Sequence, residues 1–311
     1  MVWKSERDPN KMISSGLDSF DKQFGGFLLG EMIIFGGRPA MGKSNLLVWI
    51  ATKMAKNNPV LFFTYDSSKE SLTNSFVAAI TGVNLDKLYH RELDTLEFAQ
   101  VVKSLNSELP IYISEECHDS ISAFRQYCEN MVQKHGIKVV FVDHIQKMHS
   151  NRYGRNRESE MSYIVQELKR MAIELNIVLI LSSQLSRNVE NRAGSKKPML
   201  SDLRESGAIE QYANKVIFLY RAGYYGIEVD EYNESVKDIL ELLVHKNTYG
   251  SLGSIRIKTG GPGFIAYEYH PSHELRERFE IKEEGFEQSK GFVLPSSRMN
   301  KKMDDEDFTP F

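Results

Sequence analysis

The stretch Met32-Ile33-Ile34-Phe35-Gly36-Gly37-Arg38-Pro39-Ala40-Met41-Gly42-Lys43-Ser44 decides the fold. An apolar run, Met32 to Phe35, leads into Gly37-x-x-x-x-Gly42-Lys43-Ser44, and a helical run, Asn45 to Lys56, leaves it. Strand, glycine-rich turn and helix in that order are what a phosphate-binding loop requires. Small residues let backbone N–H groups close around an anion at the positive end of the helix. The cradle is expected over Gly37, Arg38, Pro39, Ala40, Met41, Gly42, Lys43, Ser44 and Asn45. Lys43 is expected to reach the β and γ phosphates of ATP, and the Ser44 hydroxyl to hold Mg²⁺.

Working outward, short apolar runs alternate with longer amphipathic stretches, the pattern of a mostly parallel sheet covered by helices. Candidate strands are Met32–Phe35, Val60–Thr64, Ile111–Ser114, Val139–Val142, Ile177–Leu181 and Val216–Tyr220. Glu158–Leu175 carries Met161, Ile164, Val165, Leu168, Met171, Ala172 and Leu175 at helical spacing, a stripe that belongs to the core. After Tyr220 the runs Ile239–His245, Ser254–Lys258 and Phe264–Tyr269, separated by Gly-rich turns, predict antiparallel strands at one sheet edge. The expected class is α/β, with a mostly parallel central sheet and antiparallel C-terminal strands.

A phosphate loop needs a carboxylate for the metal at the end of a neighbouring buried strand, and Val139-Val140-Phe141-Val142-Asp143 ends in one. Asp143 is therefore the expected Mg²⁺ partner of Ser44. Asp66, just past Val60–Thr64, is the candidate base for the attacking water. Gln184, just past Ile177–Leu181, either senses the γ-phosphate or is a surface amide.

At 311 residues, with 41% hydrophobic content, the chain can bury one large core without disulfides. Cys117 and Cys128 lack Cys-x-x-Cys spacing and read as two reduced thiols on different faces of a helix. The N-terminus has no apolar segment of a targeting signal, and no run approaches the roughly 18 apolar residues of a membrane span. No membrane association and a cytoplasmic setting are expected. A net charge of −3 excludes a wholly basic nucleic-acid-coating surface and leaves a local basic channel open.

These residues, in this order, resemble the C-terminal ATPase domain of the DnaB-type replicative helicases, hexameric ring motors of the RecA-like class. The similarity runs from about Ser14 to Tyr269 and is strongest in Ser182-Ser183-Gln184-Leu185-Ser186-Arg187 and in Leu200-Ser201-Asp202-Leu203-Arg204-Glu205-Ser206-Gly207-Ala208-Ile209-Glu210-Gln211. The resemblance implies a RecA-like P-loop ATPase over residues 14–271, after a short arm, 1–13, and before a charged tail, 272–311. It implies an ATP-dependent, 5′ to 3′ DNA helicase working as a homohexamer on single-stranded DNA in a bacterial or phage-infected cell. Arg204, Glu205 and Gly207 would form the loop facing the central channel, where an arginine and a backbone N–H meet phosphates. Arg187, Arg192, Lys196 and Lys197 either widen that basic path or form a solvated loop.

The chain departs from the family's pattern in three places. Asp66 stands where the family has a glutamate, a carboxylate one methylene shorter. Lys246 matches the lysine that completes the neighbouring subunit's site, but Thr248 stands where the arginine finger would be, and Arg256 is the nearest replacement. Few residues precede Ser14, so the family's N-terminal collar and linker helix are expected to be missing. Lys246-Asn247-Thr248-Tyr249-Gly250 is also similar to the Lys-Asn-Arg-Phe-Gly motif of RadA recombination ATPases, which keeps a recombination ATPase open as an alternative. A weakly hydrolysing loader subunit is another. The acidic tail ending in Phe308-Thr309-Pro310-Phe311 resembles the tips of single-stranded-DNA-binding proteins and suggests a polymerase or primase partner docking on Phe311, or a disordered solubilising segment.

Overall fold

Nine strands form one sheet in the computed structural model, which describes residues 12–105, 109–115, 120–150, 156–192, 195–203, 207–260 and 265–269. The sheet belongs to the first of two units, residues 1–269; the second, residues 270–311, lies outside the described residues and carries the tail and Phe311. A two-stranded antiparallel ribbon, β1 (Met12–Ile13) with β2 (Phe27–Leu28), brackets helix α1 (Asp18–Phe24). There follow β3 (Met32–Gly37), α2 (Lys43–Met54), β4 (Val60–Thr64), α3 (Lys69–Thr81), α4 (Leu85–His90), α5 (Thr95–Leu105) and β5 (Ile111–Ser114). The middle of the chain supplies α6 (Ile121–His135), β6 (Val139–Asp143), α7 (Arg157–Glu174), β7 (Val178–Gln184), α8 (Asn188–Asn191) and α9 (Gly207–Tyr212). The sheet is completed by β8 (Lys215–Tyr220), β9 (Ile239–Asn247), β10 (Gly253–Gly260) and β11 (Ile265–Glu268).

The spatial order is β11-β10-β9-β8-β3-β7-β6-β4-β5. The strands from β8 to β5 pair in parallel and the last three run antiparallel, as expected from the sequence. Predicted strand bounds hold at β4 and β5 and differ elsewhere by one to three residues at an end. In β7 the difference matters, because Gln184 lies in the strand and not beyond it.

Alternation along the strands divides the core into two layers. Ile33, Phe35, Phe62 and Phe141 face one side, against Trp49 and Ile50 of α2, Phe76 of α3 and Phe20 of α1. The Phe62 and Phe141 rings stack there at 5.3 Å. Met32, Ile34, Leu61, Phe63 and Val140 face the other, against Phe124 of α6 and the α7 stripe predicted from spacing. Cys128 is buried in this second layer, and burial pushes its thiol pKa up, so it is unreactive. Cys117 lies outside the described residues.

β3 and β8 lie close together at Gly36, where a Cβ would meet Phe218 ring carbons at 2.7 and 2.8 Å. Gly36→Ala is expected to destabilise by about 1–3 kcal/mol through overpacking. A lower urea midpoint at unchanged slope is the readout.

Candidate nucleotide-binding site

Parallel pairing brings the strand C-termini together at one end of the sheet. Gly37 of β3 stands opposite Gln184 of β7, and Thr64 of β4 opposite Asp143 of β6. Above them opens a cleft of about 310 Å³, lined by Pro39, Ala40, Gly42, Lys43, Ser44 and Asn45 of the loop and by Asp66, Asp143, His144 and Gln184 of the neighbouring strand ends. Gly37, Arg38 and Met41, expected in the same cradle through their backbone, lie behind this lining, with the Gly37 and Arg38 carbonyls on Lys43 Nζ. Gly37 ends the buried strand, the Met41 side chain sits in the core, and the Arg38 guanidinium turns away to Glu190 at 2.8 Å and the Leu185 carbonyl at 2.8 Å.

Gly42, at φ 85, turns the chain into α2 in a conformation that favours glycine. That helix starts with no side-chain cap and no acidic residue in its first turn, which leaves its first N–H groups for an anion. Lys43 Nζ is folded onto the loop's own carbonyls, Gly37 O at 2.9 Å and Arg38 O at 3.0 Å. No carboxylate among the described residues pairs with it. Burial, opposed in part by Asp143 and reinforced by Arg38, lowers its pKa to about 8. A desolvated cation beside bare helix N–H groups fits a polyphosphate.

The sign of the pH effect follows. A bound phosphate favours the ammonium form, so above about pH 8 the complex holds more protons than the free protein. Affinity for ADP is expected to be flat from pH 7 to 8 and to weaken above it, by up to about tenfold per pH unit. Equilibrium titration with a fluorescent ADP checks this.

The hard oxygen set of Ser44 and Asp143 at the mouth of the loop suits Mg²⁺. Asp143 is oriented by Ser182, whose hydroxyl donates to its Oδ1. Asp66 lines the same cleft, with Oδ2 at 2.9 Å from His144 Nε2 and Oδ1 at 3.2 Å from Lys147 Nζ. His144 Nδ1 faces Gln146 Oε1 at 3.0 Å, and Gln146 Nε2 donates to Ser183 Oγ at 2.8 Å. Reading the sequence missed His144, Gln146, Lys147 and Ser182. The available signal was the pair Ser182-Ser183, two hydroxyls in an apolar strand that need partners once buried.

Lys246 lies at the opposite end of the sheet from the cleft. On β9 it is opposite Val216, at the start of β8, which in turn pairs with Ile34, not with the loop end of β3. Its Nζ donates to Glu210 O at 2.5 Å and Gln211 O at 3.0 Å. Thr248 is tied down nearby, its N–H and hydroxyl both donating to Asn214 O, at 2.9 and 3.0 Å. Arg256 does not stand free as a replacement finger. It is clasped by Asp230 at 2.7 Å and Glu241 at 3.2 Å.

Arg204 and Glu205 lie outside the described residues; Gly207 begins α9, exposed. Of the basic residues upstream, Arg192 pairs with Asp202 at 2.5 Å, Lys197 with Glu241 at 2.7 Å, and Lys196 donates to Glu190 O at 2.9 Å. Arg192 and Lys196 are half-buried, whereas Lys197 and Arg187 are exposed.

Residues 12–261 match the family described as DnaB-like helicase C terminal domain. The chain belongs to that family. Over 265 residues it is 38% identical to the probable replicative DNA helicase of Trieres chinensis, covering 83% of this chain and 57% of that protein. Replicative DNA helicase DnaB of Rickettsia conorii is 36% identical over 270 residues, with coverages of 78% and 54%. The chain thus spans a little over half the length of these curated relatives. A solved DnaB-like replicative helicase, described with its interactions with primase, has the same fold at 28% identity and a TM-score of 0.75, covering 82% of this chain and 62% of its own. A solved ATPase domain matches at the same identity and TM-score, covering 84% of this chain and 94% of its own. The RecA-like α/β architecture expected from the sequence is that of this DnaB-like family. Among the described residues, no helix is long and apolar enough to cross a membrane.

Proposed function

We propose that this chain is the ATP-hydrolysing motor of a replicative DNA helicase, moving along single-stranded DNA as a ring of identical copies. The observation that carries the reading is the separation of two half-sites. Lys43, Ser44, Asp66, Asp143 and Gln184 share one cleft, while Lys246 stands at the far end of the sheet. A head-to-tail contact, in which one copy's Lys246 end meets the next copy's cleft, joins the halves, and repetition of such a contact closes a ring. A homohexamer is the size the family resemblance implies.

In this reading the α2 N-terminus and Lys43 hold the ATP phosphates. Ser44 and Asp143 would hold Mg²⁺, which neutralises charge on the β and γ oxygens when bound. Asp66 orients or deprotonates the attacking water, and Gln184 contacts the γ-phosphate from β7. Lys246 of the neighbouring copy supplies the second cation, with Thr248 holding the strand end beneath it.

Arg204, Glu205 and Gly207 carry the DNA contact. Arg204→Ala is expected to weaken single-stranded DNA binding uniformly across sequences and to flatten the log Kd against log salt plot by about 0.7. Fluorescence anisotropy at several salt concentrations measures it. Unwinding of forked duplexes with a single 5′ or 3′ tail tests the helicase reading. Duplex separation that needs ATP and a 5′ tail supports it, while a preference for recombination intermediates over forks favours a RadA-like role. The acidic tail is the proposed dock for a polymerase or primase through Phe311. Deleting its last eight residues is expected to abolish that capture, and unchanged capture contradicts the docking.

A further inference from the structure

We infer that His144 is a positioning residue that sets the reach of Asp66 and ties it to the strand end carrying Gln184. The inference rests on the hydrolytic role proposed for the cleft. Asp66 lies beyond β4, and its side chain is 49% exposed. A short carboxylate on exposed backbone populates several rotamers unless something holds it, and a base acts only within hydrogen-bond reach of its proton.

Among the described residues, two side chains hold the Asp66 carboxylate. Lys147 is 52% exposed, and an exposed ion pair on a flexible stem contributes little. His144 is 15% exposed and fixed at both ends of its ring. Its Nε2 meets Asp66 Oδ2 at 2.9 Å and its Nδ1 meets Gln146 Oε1 at 3.0 Å. The Gln146 amide cannot turn over without loss. Its oxygen accepts the Gln184 N–H at 3.2 Å, and its nitrogen donates to Ser183 Oγ at 2.8 Å and Gln184 O at 3.3 Å. The oxygen facing His144 is therefore an acceptor, as is the Asp66 carboxylate facing the other ring nitrogen, so both Nδ1–H and Nε2–H donate and the ring plane is set.

The result is a bracket across three strand ends. Gln184 and Ser183 on β7 hold Gln146, Gln146 holds His144 just after β6, and His144 holds Asp66 just after β4. The bracket brings an exposed carboxylate to one place over the cleft. It also makes the strand end that contacts the γ-phosphate and the base a single hydrogen-bonded unit, so a shift at Gln184 is transmitted to Asp66.

The test uses the full chain with ATP and single-stranded DNA, comparing wild type, His144→Ala and His144→Gln, each also in an Asp66→Asn background. Steady-state kcat and KM, equilibrium ADP affinity and the thermal midpoint are measured. His144→Ala is expected to lower kcat by about 10- to 100-fold, the effect of misplacing a reacting group by about an ångström. KM, ADP affinity and thermal midpoint are expected to stay near wild type. His144→Gln, whose amide restores a donor toward Asp66, recovers most of the loss, and in the Asp66→Asn background His144→Ala has no further effect. Wild-type kcat in His144→Ala, or a loss that persists undiminished in the Asp66→Asn background, overturns the inference while the hydrolytic reading stands. A wild type that binds nucleotide without turning it over overturns the hydrolytic reading itself.

Discussion

Lys43→Ala is expected to lower kcat for ATP hydrolysis by at least two to three orders of magnitude, on the order of what losing one preorganised charge-stabilising donor costs. Lys43 is the cation of the loop, it has no carboxylate partner among the described residues, and its Nζ rests on loop carbonyls from which an arriving phosphate draws it. The same variant should keep its fold. Burial lowers the Lys43 pKa from 10.5 to about 8, so the unfolded chain binds more protons between those values, and stability from this group rises with pH through that window. Below about pH 8 the folded protein carries the full cost of a desolvated charge. Removing that charge at pH 7 is expected to leave the thermal midpoint equal to wild type or higher. Loss of turnover together with loss of folding would instead place Lys43 in the scaffold.

The second large effect is on stability. Glu31→Ala is expected to destabilise the chain by about 3–5 kcal/mol, the usual cost of breaking a buried ion pair from one side. Lys215 Nζ meets both Glu31 oxygens, at 3.0 and 2.9 Å, with side-chain exposures of only 2 and 3%. Glu31→Ala removes a buried carboxylate that meets both the Lys215 ammonium and, at 2.8 Å, the Leu28 N–H. Beside it Asn214 Oδ1 accepts from Met32 N at 3.0 Å and Lys169 Nζ at 2.7 Å, while Asn214 O takes both Thr248 donors. The pair thus underlies the sheet end that presents Lys246. Replacing both members by apolar residues, Glu31→Leu with Lys215→Met, is expected to recover much of the loss, because it removes the buried ammonium together with its counter-charge. Urea denaturation of the single and double variants gives the comparison.

The parts of the molecule that were legible in the sequence are those set by periodicity and by local chain geometry. Apolar runs such as Val60–Thr64 are strands because both faces are buried, and the α7 stripe is a helix face because its spacing repeats with the turn. The loop from Gly37 to Ser44 could be read because its function needs a strand, tight backbone and a helix in immediate succession. Asp66, Asp143 and Gln184 could be placed at the cleft because parallel pairing collects strand ends. Contacts that depend on side-chain direction were not legible. Nothing local distinguishes Arg38, turned to Glu190, from an arginine facing a phosphate, nor the clasped Arg256 from a free one. His144 and Gln146 act across three strands far apart in sequence, and only the register of β4, β6 and β7 brings their partners together.

ATP turnover by the full chain with and without single-stranded DNA tests the motor most directly. Turnover that rises when DNA is added, and declines again as salt releases the DNA, is the predicted result. Tight ATP binding with turnover unchanged by DNA would contradict the motor and favour a weakly hydrolysing loader subunit.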